Sequence, residues 1–583
     1  MRPSMHEIMP QYEYAAHLRA SQAHTKEFAK QLSPEQRTTL AKFLNRPESF
    51  EKGYRESRQR EDEAKKVLKE MIKQRLLGKT LAGVTSGTGF NFYDLRPPVE
   101  LAFPVNTPLR NEMTREGRVN DGYGVMANWK LNRDPGVAYP GVPEGIRAQQ
   151  ATPDELDMAA AYKELGIERA VTFTAQFAGE GFVDNLADEH LRGLFELWLE
   201  EESFILLGNP GLGVGNNGFA VNGAGGGTAT PTPTTALSTA VADGSLSSGS
   251  TVTVYVVALT GLGYPVNSQY GYTKAPTVAL GLTPSYTYQS PGTNQTVTIN
   301  CGTSKISAAG TQRTTSGPDP SVVASIDPIN GVFGYAWFVS LAGSPSLATA
   351  YLYKITTLPS VLVNSAPGTG YAGNSAGLGV DNSYNQYDFP GLLTYAATTP
   401  GAYWKNLLGA GFTSQKNGRV TEVENALEYI WENYQAGPSQ IIGSVDAIVA
   451  LDSAVKYGTT SAPGGMLMTF SRDENNQLVG GFVVSGYQSR YGMNPTGAGV
   501  IPIRIHPMMP AGTLYFDVRD IPYPHSRAPY VRGLLVQRDY YSIEWPLVQR
   551  QWTFGTYVHE TLRHNFPWIP GVLTGIGPFT QST

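Results

Sequence analysis

Residues 187–210 read ADEHLRGLFELWLEEESFILLGNP. The spacing of the apolar residues predicts a helix over 187–207, and the Gly-Asn-Pro sequence that follows predicts its end. One broad face of this helix is apolar and comprises Leu191, Leu194, Phe195, Trp198, Ile205 and Leu206. The other face, predicted to be exposed, carries the acidic residues Glu196, Glu200, Glu201 and Glu202. Such a pattern is typical of a long helix that lies on a sheet.

After Pro210 the chain enters a long tract that is almost without charge. Between Gly225 and Ser360 only seven residues are charged, namely Asp243, Lys274, Lys305, Arg313, Asp319, Asp327 and Lys354. Runs such as TVTVYVVAL and FGYAWFVSL alternate with Gly, Pro, Ser and Asn turns, which predicts the short strands of a β-sandwich. Tyr335 and Trp337 are expected in its core. Because helical sequence returns afterwards, we expect residues 225–360 to be a module inserted into a host fold.

The composition restricts the class of protein. A chain of 583 residues exceeds a single core, so we expect about three or four domains. The net charge of −5 argues against an extended nucleic-acid-binding surface. Cys301 is the only cysteine, so no intrachain disulfide can form, and we interpret it as a small apolar residue buried in a strand. The sequence has neither a secretion-signal pattern nor an apolar run of about 20 residues, so no membrane partner is expected.

The N-terminal segment, residues 1–84, differs from the rest. Its first 78 residues carry 16 Lys and Arg against 11 Asp and Glu, a local net charge of +5. Helix signals include a capping sequence at 33–36 and a narrow apolar stripe over residues 64–76. We predict a charged, scaffold-like helical arm whose stripe needs a partner surface, with a solvated helix or coiled-coil stem as the alternative.

The next two segments are predicted to be extended. In residues 85–120, Pro97, Pro98, Pro104 and Pro108 exclude a regular helix, which indicates a strap that runs over other structure. Residues 121–180 mix Gly-rich turns with strand-like runs. We predict a long two-stranded loop there, with a short helix near residues 153–165.

The remaining host segments combine helices and strands. Residues 181–224 hold the long helix, and residues 361–499 contain a predicted helix over 419–434 followed by strand, turn and helix over 438–458. Residues 500–583 alternate strands with Pro and Gly turns, which predicts an antiparallel sheet. The fold class is therefore predicted to be α+β with an inserted β-sandwich.

Two glycine-containing segments resemble nucleotide-binding motifs, but each lacks a feature that such a motif requires. Gly78, Lys79 and Thr80 resemble the end of a phosphate-binding loop, but Lys73 occupies the position that needs the first glycine. The glycines at 211, 213 and 215 follow a helix rather than a strand, so their amides do not open a helix N-terminus onto a ligand.

No constellation of side chains predicts catalysis or metal binding. His559 and His564 are five residues apart, whereas a zinc-protease helix needs a spacing of four with Glu beside the first His. His506 stands alone in a Pro-flanked turn, and neighbouring carboxylates such as Glu201 and Glu202 are expected to be solvated or salt-bridged. The glycosylation-like sequence at Asn294 is expected to be unused. We therefore predict no enzyme activity and no catalytic, cofactor-binding or metal site.

The host segments, taken in order, resemble a tailed-bacteriophage major capsid protein of the Hong Kong 97 type. The resemblance rests on FPVNTPLRNEMTREG for the N-terminal strap, the helix sequence quoted above with its EE…ILxGN ending, VTEVENALEYIWENYQAGPSQIIGSVDAIVAL for the axial domain, and IPIRIHPMMPAGTLYFDVRDIPYP with PWIPGVLTGI for the peripheral domain and C-terminus. It covers roughly residues 95–210 and 365–576, with an immunoglobulin-like or fibronectin-like insert between them. None of these matches is specific to the family by itself, but their occurrence together in this order is. No matched Lys–Asn pair supports covalent cross-linking.

This resemblance implies a protein of the virion that assembles in the host bacterial cytoplasm. Copies of the chain would form pentamers and hexamers of an icosahedral head around double-stranded DNA, with only non-specific DNA contact. Portal, scaffold or decoration proteins would be further partners. The insert would project outward and the arm, residues 1–84, would face inward.

Three other functions remain open from the sequence. An encapsulin-type nanocompartment shares the fold, but without a long insert. A receptor-binding, tail or decoration protein could carry the sandwich, but should not contain the long helix and axial segment in this order. An enzyme with an accessory fibronectin-like module would need an active site, and the sequence offers none.

Overall fold

The computed structural model describes residues 106–117, 124–134, 140–152, 154–179, 184–213, 216–217, 219, 221, 230–238, 244–264, 282–291, 293–317, 320–415, 418–457, 471–472, 478–479, 484–491, 499–519 and 530–578. The chain divides into two compact units, residues 1–95 and 96–583, and all of the described residues belong to the second. The arm predicted over residues 1–84 therefore lies outside the described residues, as does the strap before residue 106. None of the described helices is long and apolar enough to cross a bilayer.

One helix is much longer than the others in the described part of the chain. The helices are α1 (Pro108–Glu112), α2 (Phe173–Gly179), α3 (Asn185–Leu207), α4 (Leu392–Thr398), α5 (Thr421–Tyr434) and α6 (Val445–Tyr457). Helix α3 begins after Asp184, whose Oδ1 accepts hydrogen bonds from the Leu186 and Ala187 amides at 3.2 and 3.3 Å. It ends at Leu207, as the Gly-Asn-Pro sequence predicts.

The strands are mostly short. They are β1 (Thr114–Glu116), β2 (Met126–Asp134), β3 (Asp154–Ala161), β4 (Lys163–Thr172), β5 (Leu212–Gly213), β6 (Asn216–Asn217), β7 (Thr234–Ser238), β8 (Thr251–Thr260), β9 (Ser285–Gln289), β10 (Thr296–Asn300), β11 (Arg313–Thr314), β12 (Ser321–Ser325), β13 (Val332–Ser340), β14 (Tyr351–Thr356), β15 (Ser360–Val363), β16 (Tyr403–Asn406), β17 (Ser414–Gln415), β18 (Arg419–Val420), β19 (Gln440–Gly443), β20 (Ser471–Arg472), β21 (Leu478–Val479), β22 (Gly486–Gln488), β23 (Val500–Ile505), β24 (Leu514–Asp517), β25 (Arg532–Glu544), β26 (Gln551–His564) and β27 (Gly571–Thr574).

Helix α3 packs on a four-stranded sheet of order β1-β25-β26-β4. Its buried residues recur every four positions, at Gly193, Leu197, Glu201 and Ile205. The predicted face is wrong in part, since Leu191 is 42% exposed. The predicted exposure of Glu201 and Glu202 is also wrong, because both side chains are fully buried. Hydropathy alone misplaces them, since a charged residue can be buried when a partner from elsewhere in the chain neutralises it.

Strands β2 and β3 form a long antiparallel hairpin, in agreement with the predicted two-stranded loop. The short helix predicted near residues 153–165 is wrong, because this segment continues as strand from β3 through Tyr162 into β4. Its alanines favour a helix by intrinsic propensity. The segment is a strand instead because β3 pairs with β2 and β4 pairs with β26. Its side chains alternate accordingly: Met158 and Ala160 are buried, whereas Glu155 and Asp157 are exposed.

A second, six-stranded sheet has the order β16-β27-β24-β19-β23-β22. Helix α5 packs against strand β16 with Val423, Leu427 and Ile430 buried, whereas Trp431, which the sequence places on the same apolar face, is only partly buried. The single antiparallel sheet predicted for residues 500–583 is wrong. Strands β23, β24 and β27 join the six-stranded sheet, where β19–β23 and β16–β27 are parallel pairs, whereas β25 and β26 join the sheet under α3. Alternating hydrophobicity marks strands but does not identify their partners.

Residues 234–363 contain two further antiparallel sheets, of orders β11-β8-β13-β14 and β15-β12-β7. They share a core in which Val254, Val256 and Trp337 of the first sheet meet Val322 and Val363 of the second. Tyr335 and Trp337 have no exposed surface, so their prediction as core residues is confirmed. A separate apolar cluster covers the other face of the first sheet and includes Leu282, Ile306 and Leu378.

Pro108 begins a helix instead of excluding one. It occupies the first turn of α1, where a missing N–H costs nothing and the fixed φ suits the helix. After α1 the described part of this segment is extended, as predicted, since β1 pairs in parallel with β25.

Candidate functional site

Residues 106–117 are the described part of the predicted strap, and the name strap refers to them from here on. A buried carboxylate attaches them to the C-terminal half of α3. Glu202 Oε1 accepts a hydrogen bond from the Leu109 amide at 2.8 Å, and Oε2 accepts one from the Arg110 amide at 2.6 Å. These amides lie in the first turn of α1, where no backbone acceptor is available. The carboxylate therefore caps α1 from outside and places a negative charge at its positive end.

Glu202 also binds a buried histidine. Its Oε1 lies 2.7 Å from His506 Nε2, and both residues are buried. His506 Nδ1 accepts a hydrogen bond from the Met508 amide at 3.2 Å, so Nε2 carries the proton that is donated to Glu202. His506 follows β23, in the Pro-flanked turn predicted for it, but nothing in the sequence pattern pairs it with Glu202.

The second buried carboxylate, Glu201, binds both arginines of the strap. Arg110 Nε lies 3.0 Å from Glu201 Oε2, and Arg115 Nη1 lies 2.6 Å from Oε1. The Tyr540 hydroxyl of β25 also donates to Glu201. The Arg110 guanidinium lies 4.5 Å from the centre of the Trp198 ring, so the strap also packs on an aromatic side chain of α3. Glu201 is therefore salt-bridged, which is one of the two alternatives predicted from the sequence; the other was that it is solvated.

Glu560 of β26 is a third buried carboxylate of this cluster. Its Oε2 accepts a hydrogen bond from Arg115 Nη2 at 2.9 Å, and Asp539 binds the same nitrogen at 3.3 Å from the exposed side. Burial raises the pKa of Glu560 well above its ordinary value, and the charge of Glu201 raises it further. The sequence singled out Glu560 only as a neighbour of His559, in a motif that fails.

The strap reaches the six-stranded sheet through Glu112. Its carboxylate binds Arg504 of β23 and lies 3.6 Å from Arg519 and 3.8 Å from Arg532. Arg532 is buried and forms a 2.6 Å ion pair with Asp517 of β24. The strap is thus linked by charge to α3, to the sheet beneath it and to the six-stranded sheet.

The base of the β2–β3 hairpin is packed against the core, whereas the segment that connects its two strands is exposed. One face of the base is buried and comprises Ala127, Trp129, Leu131, Met158 and Ala160. Residues 140–152, by contrast, are all exposed, and they include Val142 at 41% and Ile146 at 65% exposure. An ordered projection that leaves apolar side chains in water is typical of a surface that another chain covers.

The chain leaves α3 and returns to it at a single junction. The Gly391 amide donates to Gly208 O at 2.8 Å, and the Asn385 amide donates to Asn209 O at 2.9 Å. The Asn209 side chain binds Phe219 O and Ser383 O at 2.8 and 3.1 Å. A side chain at Gly208 would overlap the carbonyl of Phe389, so only glycine permits this close approach.

The residues tested for metal or nucleotide chemistry lie apart from one another. His559 and Glu560 are neighbours on a strand and point to opposite faces. His559 Nε2 lies 2.6 Å from the Tyr541 hydroxyl, whereas His564 is fully buried. No group of three or more His, Cys, Asp or Glu that could hold a metal ion is found among the described residues.

The remaining candidates have structural surroundings or lie outside the described residues. Gly211 has φ +81° and lies against the Tyr384 ring, in a turn after α3. Cys301 directly follows β10 and is half-buried, where full burial in a strand was predicted. Asn294 occupies the β9–β10 turn with φ +53°. Residues 73–80 and Gly215 lie outside the described residues.

No family model matches this chain, and no curated protein matches it. The chain is similar to the capsid of a native GTA particle, with 8% identity, a TM-score of 0.34, and coverage of 85% of this chain and 100% of that chain. It is similar to the capsid of the cyanophage P-SCSP1u with 8% identity, a TM-score of 0.34, and coverage of 84% and 95%. It is also similar to the holo-SrpI encapsulin complex from Synechococcus elongatus PCC 7942, with 13% identity, a TM-score of 0.20, and coverage of 33% and 60%.

Proposed function

We propose that this chain is the major capsid protein of a tailed bacteriophage, a structural subunit that assembles with copies of itself into an icosahedral, DNA-filled head. The segments that resemble this family correspond to distinct parts of the fold. They are the strap, the β2–β3 hairpin, α3 on its four-stranded sheet, and the six-stranded sheet with its helices. In this proposal the copies form pentamers and hexamers, and they contact the packaged DNA without sequence specificity.

One observation carries the proposal: the contrast between the two ends of the β2–β3 hairpin. Its base is packed into the core, so its direction is fixed, while residues 140–152 project with Val142 and Ile146 in water. Within a monomer this segment gains no burial to offset its ordering. In a closed shell each copy can place it on a neighbour, and many modest contacts add up through avidity.

The region between Gly208 and Gly391 supports the proposed module inserted into the host fold. Its two sheets share a core of their own, and the exit and return are joined by hydrogen bonds at Gly208 and Asn209. We propose that this region is an immunoglobulin-like decoration on the outer surface, and that shell closure does not need it. The charged arm of residues 1–84 would face the interior, where portal or scaffold proteins would be its partners.

The proposal is tested by replacing residues 140–152 with a short Gly-Ser linker. The packed base of the hairpin is untouched, so the variant should fold with an unchanged thermal midpoint and sediment as a small species. The control replaces Lys130 and Asp157, exposed polar residues of β2 and β3 on the same hairpin, with serine, and this variant should still assemble. Normal particles from the 140–152 variant, with both proteins folded, would contradict the proposed role of the hairpin.

A further inference from the structure

Two buried carboxylates converge on one guanidinium of the strap. Arg115 donates through Nη1 to Glu201 of α3 at 2.6 Å and through Nη2 to Glu560 of β26 at 2.9 Å. Carboxylates that share the two nitrogens of a single guanidinium are held close together. In a buried site, ionising both groups is costly even though the Arg110 guanidinium also lies beside Glu201.

The surroundings do not supply Glu560 with a second partner. Facing Glu201 are Arg110 of α1, Arg115 of β1 and Tyr540 of β25, all within hydrogen-bond distance. Glu560 receives only Arg115, and its Oε1 is buried without a hydrogen-bond partner among the described residues. A buried ionised carboxylate normally has both oxygens satisfied, whereas a protonated one needs fewer acceptor contacts.

The strap seals this pair from water. The side chains of Arg110 and Arg115 retain 13% and 23% exposure, whereas Glu201 and Glu560 retain none. The arginines are therefore the outer layer of the cluster. If the strap detached, water would reach the carboxylates, and the burial that raises the pKa of Glu560 would be lost.

We propose that one proton, held on Glu560 beside Glu201, keeps the strap attached to α3, and that loss of this proton releases the strap. The attached state binds the proton more tightly than the released state, since only the attached state is dry. A group of this kind stabilises the attached state at low pH, and that stabilisation is lost as pH rises through the raised pKa of Glu560. The switch belongs to one chain and is independent of the proposed assembly role.

The test is amide hydrogen exchange of the full chain as a function of pH, corrected for the intrinsic exchange rate. The reporters are the Leu109 and Arg110 amides, which are bound to Glu202. As pH rises from the ordinary range of a carboxyl group towards the raised pKa of Glu560, their protection should fall by about tenfold per pH unit, the slope of a single proton, and it should level off above that pKa. The variant Glu560→Gln, which is neutral at every pH, should keep the protection and lose the transition.

The matched control is Asp539→Asn, which removes an exposed carboxylate from the same Arg115 nitrogen. It should retain the transition of the wild-type chain. Infrared absorption supplies a second readout: a neutral carboxyl band that is present in the wild-type chain and missing from Glu560→Gln should disappear over the same pH range. The comparison with the variant separates Glu560 from Asp388, whose burial also raises its carboxyl pKa. Protection that does not change with pH, a transition that persists in Glu560→Gln, or the absence of the neutral carboxyl band would each overturn the proposal.

Discussion

Glu202 Oε1 and His506 Nε2 lie 2.7 Å apart, and both residues are buried. This pair joins α3 to the end of β23, and the same carboxylate holds the strap through two backbone amides. Three chain segments that are far apart in sequence therefore depend on one side chain.

Replacing Glu202 with alanine should destabilise the protein strongly. The Leu109 and Arg110 amides and the His506 ring would lose their acceptor, and a broken buried network of this kind lowers the free energy of unfolding by about 3 kcal/mol. Chemical denaturation monitors the change. The control is Glu196→Gln on the same helix, where the carboxylate is 48% exposed and pairs with Arg169. Its effect should stay within about 0.5 kcal/mol, and equal losses in the two variants would contradict the argument.

His564 should make the protein sensitive to acid. Burial, and secondarily the charge of Arg532, lower its pKa to about 3, so the folded chain keeps this ring neutral where the unfolded chain protonates it. The resulting stability is present above the ordinary pKa of 6.5 and is lost as pH falls from there towards 3.

The variant His564→Gln isolates this contribution from other acid effects. Between pH 7 and pH 5 the wild-type chain should lose about 2 kcal/mol more unfolding free energy than the variant does. Denaturation curves at both pH values provide the measurement. Parallel losses in the two proteins would show that His564 does not titrate as the structure implies.

The length of the inserted region can be tested by two excisions. Removal of residues 222–380 cuts between the hydrogen-bonded ends near Asn209 and Asn385, so the remainder should keep a cooperative thermal transition. Removal of the sequence-predicted module, 225–360, leaves Val361, Val363 and Leu378 without the strands they pack against. That variant should aggregate or melt at a lower temperature. The opposite order of stability would place the boundary at residue 360.

The sequence pattern correctly predicted those elements whose formation depends mainly on residues close to one another in the chain. The C-terminal end of α3 and the burial of Tyr335 and Trp337 follow from the stop signal and from periodicity. The strand-turn-helix of β19 and α6 follows from the same signals. By contrast, the helix expected near residues 153–165 is a strand because its partners, β2 and β26, lie at a distance in sequence.

The charge network could not be predicted for the same reason. Glu201 and Glu202 resemble solvated surface residues until Arg110, Arg115 and His506 are brought to them by the fold. No spacing rule relates positions about 90 to 300 residues apart, so only tertiary structure identifies such partners. One signal in the sequence was missed: positions 201 and 202 lie four residues after Leu197 and Trp198 and four before Ile205 and Leu206, which places them on the apolar face.

Electron microscopy of the purified, overexpressed full chain tests the central claim most directly. A subunit of the proposed kind should form closed, hollow shells of uniform diameter without any other protein of its virion, or with a scaffold supplied alongside. A chain that stayed monomeric at high concentration under both conditions would contradict the assignment.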